Sequence, residues 1–230
     1  AVSTRQGGVS REPLGMNLSF SVGDDEASVR ENRHRFFSAL GIPVHSLAIP
    51  RQVHSAVVAR VDGPGPVAET DALVTDTPGL YLCVTVADCV PVLLYDARHR
   101  AVGAVHAGWR GSASGILSLA LRLMRSAYGT RPEDLRAYIG PAAGGCCYEV
   151  GPEVAGQFPP KYVAGREGSQ KLDLKAFNAD TLREAGLDPA HIEVSPLCTI
   201  TETPLLHSYR RDGPRSGRMM AVIGIHPRGS

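Results

Sequence analysis

Five short apolar segments follow one another between residues 47 and 107, and turn-forming residues separate them. They read LAIPRQVHSAVVARV (47–61), DALVT (71–75), LYLCVTV (80–86), PVLLYD (91–96) and AVGAVHA (101–107). Short runs rich in valine, leucine and other strand formers, bounded by turn residues, are typical of β-strands. A DGPGP stretch at residues 62–66 is predicted to be a turn between two of them.

Two longer segments have the apolar spacing of helices. The first, DDEASVRENRHRFFSALG (24–41), offers Asp24 or Asp25 as a cap and Gly41 as a stop. The second, SASGILSLALRLMRSAYG (112–129), ends at Gly129. Their predicted apolar faces consist of Val29, Phe36, Phe37 and Leu40 in the first, and Ile116, Leu119, Ala120, Leu123 and Ala127 in the second.

The last third of the chain alternates between predicted strands and one helix. Strands are predicted at LRAYIG (135–140), KLDL (171–174), HIEVS (191–195) and RMMAVIGI (218–225), and a helix at LKAFNADTLREAG (174–186). Adjacent strands with few long helices favour an α+β or mixed layered fold over a doubly wound one. A length of 230 residues without internal repeats predicts a single domain over residues 1–230.

Charge and cysteine content exclude several classes of protein. A net charge of +1, from 24 basic and 23 acidic residues, gives no reason to expect nucleic-acid or membrane binding, whereas a small neutral or anionic ligand remains possible. No apolar run approaches the roughly 20 residues that span a bilayer. Five cysteines without CxxC spacing argue against a disulfide framework or a zinc finger. We therefore expect a cytoplasmic protein with reduced thiols.

Three segments each place a metal-binding side chain at the edge of a predicted strand. They are RQVHS with His54, VADCVP with Asp88 and Cys89, and VHAGWRG with His106. Imidazole and thiolate together suit zinc, and catalytic zinc commonly uses three protein ligands. The separations are 35 residues from His54 to Cys89 and 17 from Cys89 to His106. Such distances require a sheet to gather the ligands.

Other polar positions permit two interpretations each. HAGWRGSASG could bind phosphate with its glycines, Arg110 and the start of a helix, or could be a tight turn with Trp109 packed on the core. Cys83 is predicted to be a small buried residue. Of the vicinal cysteines, one is expected to pack and one, Cys147, to line a cleft. SYRRDG (208–213) fits a solvated hairpin, and Asn17 is either a loop residue or a contact for a base or ribose.

Taken in order, these blocks resemble the laccase-domain family, whose members are also named purine nucleoside phosphorylases and were formerly called polyphenol oxidases. The resemblance covers residues 3–225. It is carried by STRQGGVS, MNLSFSVGDD, RQVHS, TDALVTDTPGL, TVADCVPVLLYD, AVHAGWRG, IGPAAGGCCYEVG, PLCT and SYRRDG.

The resemblance implies a layered α/β/β/α arrangement with two mixed sheets between helices. It also implies a zinc ion held by His54, Cys89 and His106, although Ser55 stands where the family usually has glycine. Copper is the less favoured metal. The implied partners are a purine nucleoside and phosphate, acted on by a monomer or small homo-oligomer.

The activity implied by the resemblance is phosphorolysis of adenosine, inosine, guanosine or methylthioadenosine, together with hydrolytic deamination of adenosine. Zinc would activate water for attack on the purine C6, with Asp88 moving protons. In phosphorolysis, phosphate would displace the base at the ribose C1′. The candidate substrate contacts are Asn17, Arg51, Arg110, Cys147 and Arg210.

Three alternatives stay open from the sequence. Cys89 activated by His106 would suit a cysteine hydrolase or transferase. A copper-dependent phenol oxidase would need more histidines than one Cys/His₂ site offers. A non-enzymatic binding module would use zinc structurally, with Cys146 or Cys147 as a fourth ligand.

Overall fold

Alternating apolar side chains build two sheets that share a core. The structure is a computed structural model that describes residues 1–166 and 168–227. Its strands are β1 (Leu47–Pro50), β2 (Val58–Arg60), β3 (Gly65–Val67), β4 (Ala72–Thr75), β5 (Tyr81–Val86), β6 (Val90–Asp96), β7 (Ala101–Ala107), β8 (Leu135–Ile139), β9 (Glu149–Val150), β10 (Val163–Arg166), β11 (Ser169–Leu172), β12 (Ile192–Val194) and β13 (Met219–Gly224).

The described residues form six helices. They are α1 (Glu26–Ala39), α2 (Trp109–Ala113), α3 (Ile116–Tyr128), α4 (Pro152–Ala155), α5 (Leu174–Glu184) and α6 (Tyr209–Asp212). Of these, α1, α3 and α5 cover the outer faces of the two large sheets. None of the described helices is long and apolar enough to cross a membrane.

Both large sheets mix parallel and antiparallel pairs. The six-stranded sheet has the order β12-β8-β6-β7-β4-β2, with parallel pairs at its two edges and antiparallel pairs in its centre. The four-stranded sheet has the order β13-β5-β1-β3, in which only β13 runs antiparallel. A third, antiparallel sheet of β10-β11-β9 was not predicted.

Strand β5 shows how the layers are stacked. Leu82 and Val84 belong to the apolar core between the two large sheets, whereas Tyr81 and Cys83 face the core under α1. The outer face of the six-stranded sheet packs against α3 and α5. The predicted α/β/β/α layering is therefore confirmed, and so is the prediction of Cys83 as a small buried residue, since its side chain is fully buried.

The elements differ from the predictions where glycine and proline occur. Helix α1 begins as predicted after Asp25, whose side chain accepts a hydrogen bond from the Ser28 N–H. The single helix predicted over residues 112–129 is wrong: α2 starts at Trp109, and Gly115, with φ 77°, separates it from α3. The DGPGP turn contains the start of β3. SYRRDG forms α6 instead of a hairpin.

The ends of five strands from the two large sheets meet at one edge of the fold. β7 runs antiparallel to β4 and β6, so its last residues lie beside their first residues. In the other large sheet the parallel strands β1 and β5 start in register, and Gln52, which follows β1, bonds to Thr85 near the end of β5. The prediction of one domain over residues 1–230 stays a prediction, and residue 167 and residues 228–230 lie outside the described ranges.

Truncating Leu82 tests the core between the sheets. Its side chain is fully buried, so Leu82→Ala should lower the free energy of unfolding by about 2 to 5 kcal/mol, measured by denaturant titration. The matched control is Val57→Ala, because Val57 is 52% exposed and its truncation should cost less than about 0.5 kcal/mol. Equal effects of the two changes would contradict this description of the core.

Burial of His207 should make stability depend on pH. Its ring is fully buried with neither nitrogen hydrogen-bonded among the described residues, and burial lowers its pKa to about 4. That pKa already includes the nearby charges: Arg5, Arg211 and Arg218 also lower it, and Asp212 raises it. Because the unfolded chain takes up this proton near pH 6.5, stability should be lost as pH falls from 6.5 towards 4.

The expected slope from His207 is about 1.4 kcal/mol per pH unit within that window. Denaturant titrations at several pH values measure it, with His207→Phe as the comparison. The free energy of unfolding of His207→Phe should lack this dependence on pH. If the free energies of both proteins change in parallel with pH, the role given to His207 is contradicted.

Candidate active site

A buried carboxylate organises the loop between β1 and β2. Asp71 is fully buried, and its Oδ2 accepts hydrogen bonds from the N–H groups of Val53 (3.2 Å) and Ser55 (2.7 Å). Its Oδ1 accepts one from the His54 N–H (3.0 Å). His54 has φ 59°, and this left-handed conformation helps turn successive N–H groups towards one anion. The hydroxyl of Ser55 adds a further hydrogen bond of 2.8 Å to Oδ2.

The same carboxylate orients His106 at the end of β7. His106 is 3% exposed, and its Nδ1 lies 2.8 Å from Asp71 Oδ1. Because an ionised carboxylate only accepts, this contact assigns the proton to Nδ1 and leaves Nε2 free as a ligand. Burial alone would raise the pKa of Asp71, but the donors from His106 and Ser55 hold it well below its usual range.

Cys89, in the turn between β5 and β6, completes a group of three possible ligands. One ligand atom from each of His54, Cys89 and His106 lies within 4.8 Å of the other two. The two imidazole rings meet edge to face at 4.9 Å between centroids. Burial would raise the pKa of the Cys89 thiol, but His106 and His54 lower it to about 6. Burial would lower the pKa of His106, but Cys89 and Asp71 outweigh it and raise this pKa to about 9.

The surroundings of these three side chains fit a metal ion. A Cβ atom at Gly108 would lie 3.1 Å from Cys89 Sγ and 3.4 Å from His54 Cδ2, so a glycine keeps this space free. At Gly111 a Cβ would come within 2.8 Å of the Ser55 carbonyl oxygen. Because glycine has no Cβ, the loop that carries Ser55 can pack on α2. Two nitrogens and one sulfur are a donor set that zinc accepts, with a fourth position left for water or substrate.

A cavity of about 440 Å³ opens beside the three ligands. Asp88, Tyr148, Tyr209, Arg210 and Arg218 line it together with the ligands themselves. The cavity therefore combines aromatic surface with cationic groups, an arrangement suited to a flat, polar or anionic ligand.

Asp88 connects two walls of this cavity. It has φ 93°, which is rare for a residue other than glycine. Its Oδ1 accepts a hydrogen bond from the hydroxyl of Thr199 and its Oδ2 from the N–H of Arg210, both at 2.6 Å. The side chain of Arg210 donates to the carbonyl of Glu149 at 2.6 Å and lies over the ring of Tyr148.

Arg51 lies at an adjoining cavity. This second cavity, of about 560 Å³, shares Gln52 and Thr85 with the first. The side chain of Gln52 is bonded to Thr85 three times, at 2.7 Å, 2.8 Å and 2.9 Å, which fixes the start of the loop to the end of β5. An anion held by Arg51 would therefore lie next to the ligand cavity.

Three other predicted contacts lie outside the lining of the cavity beside the ligands. Arg110 is exposed on α2, with its guanidinium 4.3 Å from the centroid of the Trp109 ring. Asn17 is fully buried, and its amide bonds to the backbone of Ser19 and Arg218 and to Asp24. Cys147 lies in a separate cluster of thiols. The structure thus brings together the ligands, Asp88 and Arg210.

Four residues of the site were missed by the sequence analysis. Tyr148, Tyr209 and Arg218 line the cavity, and Asp71 holds two of the ligands. The only signal for Asp71 was an acidic residue immediately before the apolar run ALVT, where a buried charge needs a partner.

Comparisons with known proteins identify relatives along almost the whole chain. A purine nucleoside phosphorylase of Deinococcus radiodurans is 43% identical over 98% of this chain and 88% of its own. A purine nucleoside phosphorylase of Mycobacterium tuberculosis is 42% identical over 96% of this chain and 89% of its own.

Solved structures share the fold. YlmD from Geobacillus stearothermophilus matches with a TM-score of 0.93 and 36% identity, over 98% of this chain and 91% of its own. The hypothetical protein YfiH of Bacillus licheniformis matches with a TM-score of 0.92 and 36% identity, over 96% and 90%. The family described as multi-copper polyphenol oxidoreductase laccase matches residues 1–226. The chain therefore belongs to this laccase-like family, in which the curated relatives compared above are named purine nucleoside phosphorylases.

Proposed function

We propose that this protein is a zinc-dependent purine nucleoside phosphorylase that also deaminates adenosine by hydrolysis. The observation that carries the proposal is the convergence of His54, Cys89 and His106 on a cavity with aromatic and cationic walls. The names of the relatives support the phosphorylase part. Adenosine, inosine, guanosine and methylthioadenosine are the proposed substrates.

The three ligands would hold zinc through His54, Cys89 Sγ and His106 Nε2. When bound, zinc supplies Lewis-acid chemistry and lowers the pKa of a coordinated water. The protein's own part is to keep Cys89 ionised beside His106 and to keep the His106 proton on Nδ1 through Asp71.

The cavity walls provide the contacts for the nucleoside and for phosphate. Tyr148 and Tyr209 offer rings on which a purine can stack. Arg210 and Arg218 place two guanidinium groups at the same cavity, and Arg51 lies at the adjoining one. Guanidinium binds phosphate oxygens in pairs, so these arginines are the proposed phosphate contacts.

Asp88 is the proposed proton carrier. It precedes Cys89 and lines the cavity, while Thr199 and the Arg210 N–H fix its carboxylate. A carboxylate in this position can hold a proton at a purine nitrogen or give one to the departing base.

A second candidate function rests on one pair of side chains. In the absence of metal, His106 stabilises the ionised Cys89, as in enzymes that use a cysteine nucleophile. His54 also favours the ionised form of Cys89, but a cysteine nucleophile needs only one neighbouring base. Treatment with a chelator distinguishes the metal enzyme from the enzyme with a cysteine nucleophile. Activity that is lost and then restored by zinc supports the metal enzyme, and unchanged activity supports the cysteine nucleophile.

The copper oxidase and the structural zinc module receive less support. Within the described residues the group around His106 contains one cysteine and two histidines, whereas multicopper oxidation requires several copper ions. Cys146 and Cys147, the candidates for a fourth ligand, belong to a different group together with Cys198. Neither cysteine thus belongs to the group of His54, Cys89 and His106, which lines the cavity.

Incubation with adenosine, with and without phosphate, distinguishes the reactions. Phosphorolysis should release adenine only when phosphate is present, and deamination should give inosine in either case. Both activities together should give hypoxanthine. Chromatography of the products measures each path, and the absence of all three products would contradict the proposed function.

Replacement of Cys89 tests the metal ligands. Cys89→Ala removes the only sulfur donor of the site, so metal content and phosphate-dependent release of base should both be lost. Metal analysis and the chromatographic assay measure these. Cys146→Ala is the control, since Cys146 is exposed and belongs to the other group, and it should retain both properties. Full activity of Cys89→Ala would rule out the zinc mechanism.

Replacement of Asp71 tests how the ligands are oriented. Asp71→Asn removes the charge that fixes the His106 tautomer, and affinity for zinc should fall about 10- to 100-fold. Competition with a chromophoric chelator measures the affinity. Asp96→Asn is the matched control, because Asp96 is also fully buried and bonds to His99 Nδ1 at 2.9 Å. Equal zinc affinity in the two variants would contradict the role given to Asp71.

A further inference from the structure

Three cysteines outside the metal site form a chain of sulfur atoms. Cys147 Sγ lies 3.1 Å from the Sγ of Cys146 and 3.1 Å from that of Cys198. Cys146 is exposed, Cys147 is partly buried and Cys198 is 6% exposed. All three are free thiols. The chain of sulfurs therefore leads from solvent into the protein.

The backbone holds the deeper two sulfurs in place. Ala142 and Cys198 form a parallel bridge, and the Thr199 N–H donates to the Ala142 carbonyl at 3.0 Å. The Gly144 N–H donates to Cys198 Sγ at 3.2 Å, and a Cβ at Gly144 would lie 3.3 Å from Cys198 Cβ. The segments that carry Cys147 and Cys198 are thus packed directly together, and a bond between the sulfurs requires only a local shift.

The two thiols also differ in acidity. Burial raises the pKa of Cys147, and its contacts with the other two thiols raise it further. Burial acts the same way on Cys198, but hydrogen bonds from Cys147 and from the Gly144 N–H overcome it and lower the pKa. A thiolate beside a thiol is the arrangement from which disulfide exchange proceeds.

We propose that Cys147 and Cys198 are a redox modification site that takes a low-molecular-weight disulfide as oxidant. Cys147 gives its proton to the Cys198 thiolate across their 3.1 Å contact, and the Cys147 thiolate formed in this way attacks one sulfur of the oxidant, which leaves a mixed disulfide at Cys147 and releases one thiolate. The released thiolate takes the proton from Cys198. The Cys198 thiolate then attacks Cys147 Sγ and releases the second thiolate, which takes a proton from water. Two protein thiols are oxidised to one disulfide, and the oxidant is reduced to two thiols.

Pairing of Cys147 with Cys198 is favoured over pairing with Cys146. Both sulfurs lie at the same distance from Cys147 Sγ. A bond between neighbouring residues strains the peptide that joins them, whereas Cys198 is 51 positions away and held by its own backbone contacts. The stabilised thiolate is also on Cys198.

The disulfide would join two walls of the candidate active site. Cys147 precedes Tyr148, which lines the cavity, and Cys198 precedes Thr199, which donates to Asp88. Oxidation should therefore reduce nucleoside turnover. This consequence rests on the proposed function, whereas the disulfide itself does not.

The chemistry is tested on the whole protein incubated with oxidised glutathione at increasing ratios to the reduced form. Thiols counted under denaturing conditions should fall from five to three, and peptide mass spectrometry should find Cys147 joined to Cys198. Cys146→Ser should still form this bond. Cys147→Ser and Cys198→Ser each have four cysteines and should form no disulfide within the protein, so all four should be counted as free thiols or as adducts with glutathione. A bond from Cys146 to Cys147, stable glutathione adducts alone, or thiols that stay free at every ratio would overturn the proposal.

The link to the site is tested by activity. Oxidised protein should turn over nucleoside several-fold more slowly than reduced protein, and dithiothreitol should restore the rate. Cys198→Ser should not respond to oxidised glutathione. If the oxidised protein is as active as the reduced one, the coupling is overturned. If reduced protein turns over no nucleoside, the proposed function fails while the disulfide measurement keeps its meaning.

Discussion

The carboxylate of Asp71 is the interaction on which the candidate site depends. A charge buried without solvent is very costly unless donors surround it, and here the donors come from two separate parts of the chain. The N–H groups of the loop fix the backbone of His54, and the ring of His106 is fixed through Nδ1. One buried anion thus sets the positions of two ligands that lie 52 residues apart in sequence.

The two-sheet core explains why these groups meet at all. Alternation along β7 places His106 on the same side as Val102 and Ala104, which face the core between the sheets. At the end of the strand that side opens into the cavity, where the loops after β1 and β5 bring His54 and Cys89. His106 is therefore a buried side chain at the rim of a packed apolar core, whereas His54 is an exposed residue whose backbone is held by Asp71.

Elements with a local signal could be predicted from the sequence, whereas features that depend on distant partners could not. β4 to β7 follow from their apolar runs, whereas β3 and β9 are only three and two residues long and have no such run. The three metal ligands could be proposed from residue type, but their convergence was implied by the family resemblance and not by spacing. The role of Asp71 follows from contacts that no local pattern encodes. Arg110, proposed for phosphate, lies on α2 with its guanidinium over the ring of Trp109.

The two walls of the cavity are held in place by different contacts. The ligand side is attached to sheet strands through Asp71, Gln52 and the close approaches at glycine. On the opposite side, Tyr148, Tyr209 and Arg210 lie on loops and the short helix α6, and the contacts of Asp88 join them. The hydrogen bonds of Arg210 to Asp88 and Glu149 are exposed, and segments held by exposed hydrogen bonds are the easier ones to displace. In the proposed enzyme, the wall beside the three possible metal ligands would stay fixed while the opposite wall adjusts to different nucleosides. The proposed disulfide between Cys147 and Cys198 would act mainly on that adjustable wall.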